Sequence, residues 1–251
     1  MTPHVTYLEP FFGSGAVLFT KPRSQVETVN DINGDVVNLF QIIREKPNEL
    51  ATAIEMTPWA RAEYHTSYER TGDPFEDARR LLIRCWMGHG SKLSERCGWA
   101  SDIQGSRGRS ISKDWMKVPE RIAATAQRLR GVQIEQQDAI LLIKRYSHSN
   151  VLIYADPPYL LETRSKRKYY ANELTRDDHL KLLDALDEHP GPVLLSGYQC
   201  ELYDQRLKHW YRSNARSIAQ HGKNRIETLY INPVAAGKQL SLFGNERVAG
   251  G

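Results

Sequence analysis

Apolar residues fall along the chain in short β-rich runs separated by stretches with helical spacing. Val5-Thr6-Tyr7-Leu8 predicts a strand that ends in Glu9-Pro10-Phe11-Phe12-Gly13-Ser14-Gly15, and the apolar run from Ala16 to Phe19 predicts the start of a helix. Val26-Glu27-Thr28-Val29 alternates as a strand does and stops at Asn30-Asp31. Val36, Val37, Leu39, Phe40 and Ile43 then recur at the spacing of one helix face. Further strands are predicted at Val132-Gln133-Ile134, Val151 to Tyr154 and Val193-Leu194-Leu195, with a helix from about Thr175 to Leu186 before the last of them. Two more candidates lie near Trp210-Tyr211 and at Ile226 to Ile231. Strands alternating with helices predict an α/β fold on a parallel sheet with helices on its faces.

Between about Thr57 and Arg130 the strand pattern disappears, and Gly88-His89-Gly90, Gly98, Gly105 and Gly108 interrupt the chain. This stretch carries four of the five tryptophans, Trp59, Trp86, Trp99 and Trp115. It reads as an inserted, mainly helical and loop-rich module, with Trp86 and Trp99 expected in its core. The predicted organisation is a discontinuous domain over 1–56 and 131–236, an insertion over 57–130, and a flexible tail over 237–251. His179 and His221 are expected to be structural or surface residues.

Composition acts mainly by exclusion. Hydrophobic residues make up 40% of the 251 and glycine adds 17 positions, the ordinary range of a globular domain, which argues against disorder. No apolar run approaches the roughly 18 residues of a membrane-spanning helix, so no membrane association is expected. The opening MTPHVTYLEP lacks the features of an export signal. Cys85, Cys97 and Cys200 are scattered without metal or redox spacing. No metal is expected, and a reducing cytoplasm is. Thirty-four basic against thirty acidic side chains give only +4, too small an excess to identify a polyanion partner, so the location of the charge matters more. Arg84 to Arg121 holds eight Lys/Arg against four Asp/Glu, and Arg164, Lys166, Arg167 and Lys168 run directly into Tyr169 and Tyr170.

Two constellations carry chemistry. A glycine turn between a strand and a helix lets backbone approach a ligand closely beside free helix N–H groups. Gly13-x-Gly15 has that form, but Leu18 stands where a dinucleotide fingerprint has its third glycine, and no P-loop lysine follows. Asp31, at the end of the next strand, is where an acidic side chain can take both hydroxyls of a ribose, so the pair predicts a nucleoside-bearing cofactor. The stronger signal is Asp156-Pro157-Pro158-Tyr159, directly after an apolar strand. Two prolines stiffen that loop. Its carboxylate and the Pro157 carbonyl can accept two N–H bonds from an exocyclic amine, while the Tyr159 ring stacks on the heterocycle.

In their order and separation, Glu9-Pro10-Phe11-Phe12-Gly13-Ser14-Gly15, Asn30-Asp31-Ile32-Asn33 and Asp156-Pro157-Pro158-Tyr159 resemble the Dam-type (D12 class, α-group) DNA adenine-N6 methyltransferases. Gln137-Asp138-Ala139 resembles that family's third cofactor motif, and Ser196-Gly197-Tyr198 and Ile226 to Asn232 its later core motifs. The resemblance implies a Rossmann-like class I methyltransferase sheet with an inserted target-recognition module. It implies S-adenosyl-L-methionine as cofactor, held by Glu9, Pro10, Phe11, Gly13, Gly15, Asp31, Ile32, Asp138, Ala139 and Asp156. It also implies methyl transfer to N6 of an adenine flipped out of double-stranded DNA, with Asp156, Pro157, Pro158 and Tyr159 catalytic. Arg107, Arg109, Lys113 and Lys117 of the insertion, and Arg164, Lys166, Arg167, Lys168 and Tyr169 beside the catalytic loop, are the candidate DNA contacts. Gln239-Leu240-Ser241-Leu242-Phe243 resembles the pentapeptide by which bacterial DNA-processing proteins dock on the replicative sliding clamp, with Gln239, Leu240, Leu242 and Phe243 as anchors.

The family's usual opening Gly-Gly-Lys turn and helix have no counterpart ahead of Tyr7, and Gly237-Lys238-Gln239 echoes them only faintly. The expected explanations are truncation, supply by another chain, or an open pocket. Two other functions stay open on sequence alone: an amino-methyltransferase acting on cytosine N4 or RNA, and a non-catalytic, clamp-tethered DNA-binding protein.

Overall fold

The parallel strands are short and mostly buried, as suits strands covered on both faces. Leu8, Val29, Leu152, Ile153, Val193 and Leu195 have no exposed surface. The computed structural model describes residues 2–89, 97–101, 111–161, 172–218 and 224–237. These divide into two compact units, a sheet unit drawn from 2–32, 132–161 and 174–237 and a helical unit over 33–131 with 172–173. The helical unit thus begins at Asn33, ahead of the change in composition at residue 57.

The sheet unit contains β1 (Thr6–Glu9), α1 (Ala16–Thr20), β2 (Val26–Asn30), β3 (Val132–Glu135), α8 (Ala139–Arg145), β4 (Val151–Ala155), α9 (Arg176–Asp187), β5 (Val193–Tyr198), α10 (Glu201–Arg206), β6 (Tyr211–Ile218) and β7 (Asn224–Ile231), numbered in chain order over both units. The strand order is β3-β2-β1-β4-β5-β7-β6. The first five strands are parallel, while β7 runs antiparallel to both β5 and β6. Chain order reverses between β1 and β4, and at such a switch point the carboxyl ends of neighbouring strands open a crevice.

Leu142 and Ile143 of α8, with Leu182, Leu183 and Leu186 of α9, pack on Ile153 and Leu195 to form the core. Each such leucine or isoleucine contributes about 1.5–3 kcal/mol by leaving water. The same core takes in Tyr203 and Tyr230, whose rings meet edge to face 5.5 Å apart. His179, with no exposed surface, bonds the Tyr203 hydroxyl at 2.9 Å, a structural role as expected. A capping box between Thr175 and Asp178 starts α9.

The helical unit contains α2 (Gly34–Glu45), α3 (Pro47–Glu55), α4 (Arg61–Thr66), α5 (Pro74–Met87), α6 (Ile111–Trp115) and α7 (Val118–Leu129). Asn33 caps α2, and Asp73 caps α5 ahead of a proline in its first turn. Helix α3 packs on α7, and α2 on α5 and α7, around buried Leu50, Ile54, Leu81, Ile83, Ile122 and Leu129. Trp115 is buried and donates to the Thr57 carbonyl at 3.2 Å. Trp86 and Trp99, expected in this core, are only half-buried: Arg121 lies over the first ring at 5.0 Å and Arg61 over the second at 4.9 Å. A large ring can be covered by a guanidinium on its face instead of by apolar neighbours.

Candidate active site

Every strand end that meets the switch point brings a polar group. Strand β1 delivers Glu9 and then the turn through Gly15. Gly13 and Gly15 have φ of 49° and 69°, the left-handed region that disfavours other residues. At Gly15 a Cβ would also stand 2.5 Å from the rings of Phe12 and Phe19, whereas nothing lies within 4 Å of one at Gly13. The turn is latched from β2: the Gly13 N–H donates to the Asp31 carboxylate at 2.8 Å, and the Phe12 N–H to the Asn30 carbonyl at 2.8 Å.

Asn30 is the buried staple of this region. Its side-chain amide donates to the carbonyls of Pro10, at 2.9 Å, and Gln137, at 3.0 Å, and its oxygen accepts the Gln137 N–H at 2.9 Å. One side chain therefore ties the ends of β1, β2 and β3 together. Sequence reading passed over it in favour of the neighbouring Asp31, because its partners lie 20 and 107 residues away.

Glu9 is 2% exposed. Burial pushes its carboxyl up to about 7; the hydrogen bond from Tyr7 opposes the shift, the nearby Asp156 charge adds to it, and Lys21 opposes it. The Tyr7 hydroxyl donates to Glu9 at 2.7 Å, and the Lys21 ammonium lies 4.3 Å from the centre of the Tyr7 ring. Lys21 is itself buried and paired with buried Glu27 at 2.5 Å. Tyr7 and Glu9 stand two apart on a strand, so they share a face, a signal legible in the sequence.

Asp156 follows directly on β4. Its side chain reaches the surface, yet protein atoms crowd it enough that desolvation raises its carboxyl above the usual range. Hydrogen bonds from Tyr159 and Ser196 oppose that shift, and the Glu227 charge adds to it. Pro157 and Leu160 are buried and pin the loop between them. The Tyr159 hydroxyl lies 3.2 Å from that of Ser196, and its ring stands edge-on to Tyr198 at 4.5 Å.

The remaining predicted residues are distributed as follows. Pro10 is buried, Phe11 packs half-buried on the core, and Ile32 is 51% exposed beside Asp31. Asp138 caps α8 by accepting the Leu141 N–H at 2.9 Å, and Ala139 opens that helix. Glu9, Gly13, Gly15, Asp31, Asp138 and Asp156 to Tyr159 therefore gather at the carboxyl ends of four adjacent strands. Lys113 and Lys117 are exposed in the helical unit. Arg107, Arg109, Arg164, Lys166, Arg167, Lys168, Tyr169, His221 and the tail anchors Gln239, Leu240, Leu242 and Phe243 lie outside the described residues. Asn232, from the last core motif, is structural: its amide accepts from the Val193 N–H and donates to the Gly191 carbonyl, both at 2.9 Å. Among the described residues no cluster suited to a metal ion occurs, and no helix is long and apolar enough to cross a membrane.

A glycine cradle at β1, an acidic β2 end and five parallel strands closed by an antiparallel β7 define a Rossmann-like, class I methyltransferase sheet. Over residues 2–226 the chain matches the family model described as D12 class N6 adenine-specific DNA methyltransferase, and it belongs to that family. It is 26% identical over 239 residues to the DNA adenine methylase of Escherichia coli strain K12, spanning 87% of this chain and 82% of that one. It is 24% identical over 272 residues to the type II methyltransferase M1.LlaDCHI of Lactococcus lactis subsp. cremoris, spanning 89% and 88%. Among solved structures, a SAM-dependent methyltransferase from Agrobacterium tumefaciens aligns with a TM-score of 0.38 at 11% identity, covering 91% of this chain and 55% of that one. The chain is an S-adenosylmethionine-dependent enzyme that methylates adenine N6 in DNA.

The cradle suits this cofactor. Open space at Gly13, an acidic group at the β2 end and an exposed isoleucine beside it match a ribose and a flat base, and buried Glu9 matches a cation.

Proposed function

We propose that the reacting adenine is flipped out of duplex DNA and held by the Asp156-Pro157-Pro158-Tyr159 loop. The Asp156 carboxylate and the Pro157 carbonyl accept the two N–H bonds of the exocyclic amine, and Tyr159 stacks on the ring. That amine is a poor nucleophile because its lone pair is delocalised into the purine. Two acceptors held to one side draw the nitrogen toward tetrahedral geometry and localise the pair. S-adenosylmethionine, when bound, supplies an electrophilic methyl group. The chain's own residues then contribute orientation and charge: the glycine turn and Asp31 fix the nucleoside end, Glu9 and Asp156 provide negative potential, and Asp156 accepts hydrogen bonds from the amine as it turns positive.

The observation that carries this reading is the pairing of β1 with β4 in parallel register, Leu8 against Ile153, which brings the glycine cradle and the acidic loop to neighbouring strand ends. Lys113, Lys117 and the basic run from Arg164 to Lys168 would grip phosphate, as their charge and position in the sequence support. The tail pentapeptide would tether the enzyme to a sliding clamp in the bacterial cytoplasm, a reading supported by its sequence. Loss of clamp binding in a pull-down with the Leu242→Ala, Phe243→Ala pair would bear this out; no binding by the parent chain would remove it.

The decisive experiment is transfer of labelled methyl to DNA followed by nucleoside analysis, with Asp156→Ala alongside. We expect N6-methyladenine from the parent and none from the variant, which should still bind cofactor by calorimetry. Turnover by the variant would overturn the assignment of Asp156.

A further inference from the structure

We propose that Ser196 and Tyr198 of β5 are positioning residues for methyl transfer, Ser196 holding the Asp156 carboxylate and the Tyr159 hydroxyl while Tyr198 sets the plane of the Tyr159 ring. The inference rests on the reading of Asp156 and Tyr159 given above.

Strand β4 pairs with β5 in parallel as far as Ala155 against Leu195, so Asp156 and Ser196 are the next positions along each strand. Side chains two apart share a face. Tyr154 and Asp156 therefore look out on the same side as Leu194, Ser196 and Tyr198. Gly197 between them looks the other way, where an added Cβ would come within 3.1 Å of the Tyr203 ring.

The Ser196 hydroxyl lies 3.2 Å from the Tyr159 hydroxyl, and the strand register sets it beside the Asp156 carboxylate, whose charge it favours. A serine hydroxyl has one proton and two lone pairs. It can turn its proton to the stronger acceptor, the carboxylate, while the Tyr159 hydroxyl shares its own single proton between Asp156 and Ser196. Tyr198 meets the Tyr159 ring edge-on, 63° out of parallel, so the two residues grip Tyr159 at opposite ends, hydroxyl and ring.

The two prolines stiffen the loop backbone but leave the side-chain torsions of Asp156 and Tyr159 free. Strand β5 removes that freedom before a base arrives, which is how a positioning residue lowers a barrier. The charged and titratable groups facing Asp156 are Glu9 from β1, Tyr154 from β4, Tyr159 from its own loop, Ser196 from β5, and Glu227 from β7, paired with Tyr198. The Glu227 carboxylate disfavours its charge, and the Ser196 and Tyr159 hydroxyls favour it.

The test compares Ser196→Ala, Ser196→Cys, Ser196→Thr, Tyr198→Leu and Tyr198→Phe in the full chain. It measures single-turnover methyl transfer to DNA from a host lacking adenine methylation, across pH, with cofactor affinity from calorimetry. Losing the hydroxyl should slow transfer roughly tenfold or more while cofactor affinity stays within about twofold. The acid limb of the rate profile should move to higher pH in Ser196→Ala and Ser196→Cys and return in Ser196→Thr. Tyr198→Leu should slow transfer without moving that limb, and Tyr198→Phe, which keeps the ring, should recover most of the lost rate. Unchanged rate and profile in Ser196→Ala, or a slow variant whose acid limb stays put, would overturn the inference. Asp156→Ala in the same series separates the two readings: if it stays active, the catalytic assignment fails first, and if it is inactive while Ser196→Ala is indifferent, only the role of β5 fails.

Discussion

In the helical unit Glu76 lies between Arg79, bonded at 2.7 and 2.8 Å, and Arg80, bonded at 2.7 Å, and Arg79 reaches on to Glu63 and Thr57. Those bonds hold the Glu76 carboxyl down to about 2. In the sheet unit Glu9 is far more deeply buried, takes hydrogen bonds from the Tyr7 phenol and the Leu18 backbone, and is still pushed up to about 7. The first carboxylate is neutralised by partners supplied in the fold, a structural ion pair. The second is held in a state that a cationic ligand would relieve. Perturbation by burial without full compensation marks sites of chemistry, and compensated charge marks scaffolding.

The comparison can be broken most sharply at its catalytic end. Asp156→Ala should lower the methyl-transfer rate by about a thousandfold or more, measured in single turnover, with no comparable loss of cofactor affinity. Next, Gly15→Ala should destabilise the protein by about 2–4 kcal/mol in urea unfolding, since its Cβ meets two phenylalanine rings. Gly13→Ala, with open space around it, should lose only about 1 kcal/mol from its backbone angle.

Glu9→Gln tests the uncompensated charge. The folded protein holds Glu9's proton to about pH 7 against an ordinary value of 4.5, so the folded state binds more protons and wild-type stability falls as pH rises through that window. The variant should escape that loss, gaining about 1–3 kcal/mol above pH 7. Cofactor affinity should rise with pH through about 7 in the wild type and stay flat in the variant. The smallest effect belongs to the helical unit. Arg79→Leu should destabilise it by about 1 kcal/mol at neutral pH, because the pair is partly exposed and screened by salt. A lowered carboxyl stabilises above its ordinary value and loses that contribution as pH falls, so the difference should vanish between pH 4.5 and about 2.

Strands β1, β2, β4 and β5 were legible because each is a β-branched or apolar run closed by a turn residue. Strand β6 was not, beyond Tyr211: its next residues are Arg212, Ser213 and Asn214, polar side chains that an edge strand tolerates and a hydrophobic pattern misses. The contiguous motifs gave the cradle and the catalytic loop. Asn30, Ser196 and Tyr198 stand inside motifs that the sequence shows, but their hydrogen-bond and ring partners come close only on folding, so the motifs do not say what each side chain holds. The reach of the helical unit back to Asn33 was hidden for the same reason, since the helical spacing of Val36 to Ile43 says which face is buried but not against what.

The bond from the Gly13 amide to Asp31 has a kinetic meaning. That bond fastens, by the protein's own carboxylate, the turn proposed above to receive the nucleoside end of the cofactor, so docking there need not wait for a loop to organise. The association rate should then follow solvent viscosity, and a substitution that unfastens the latch, Asp31→Ala, should slow capture as well as hasten escape.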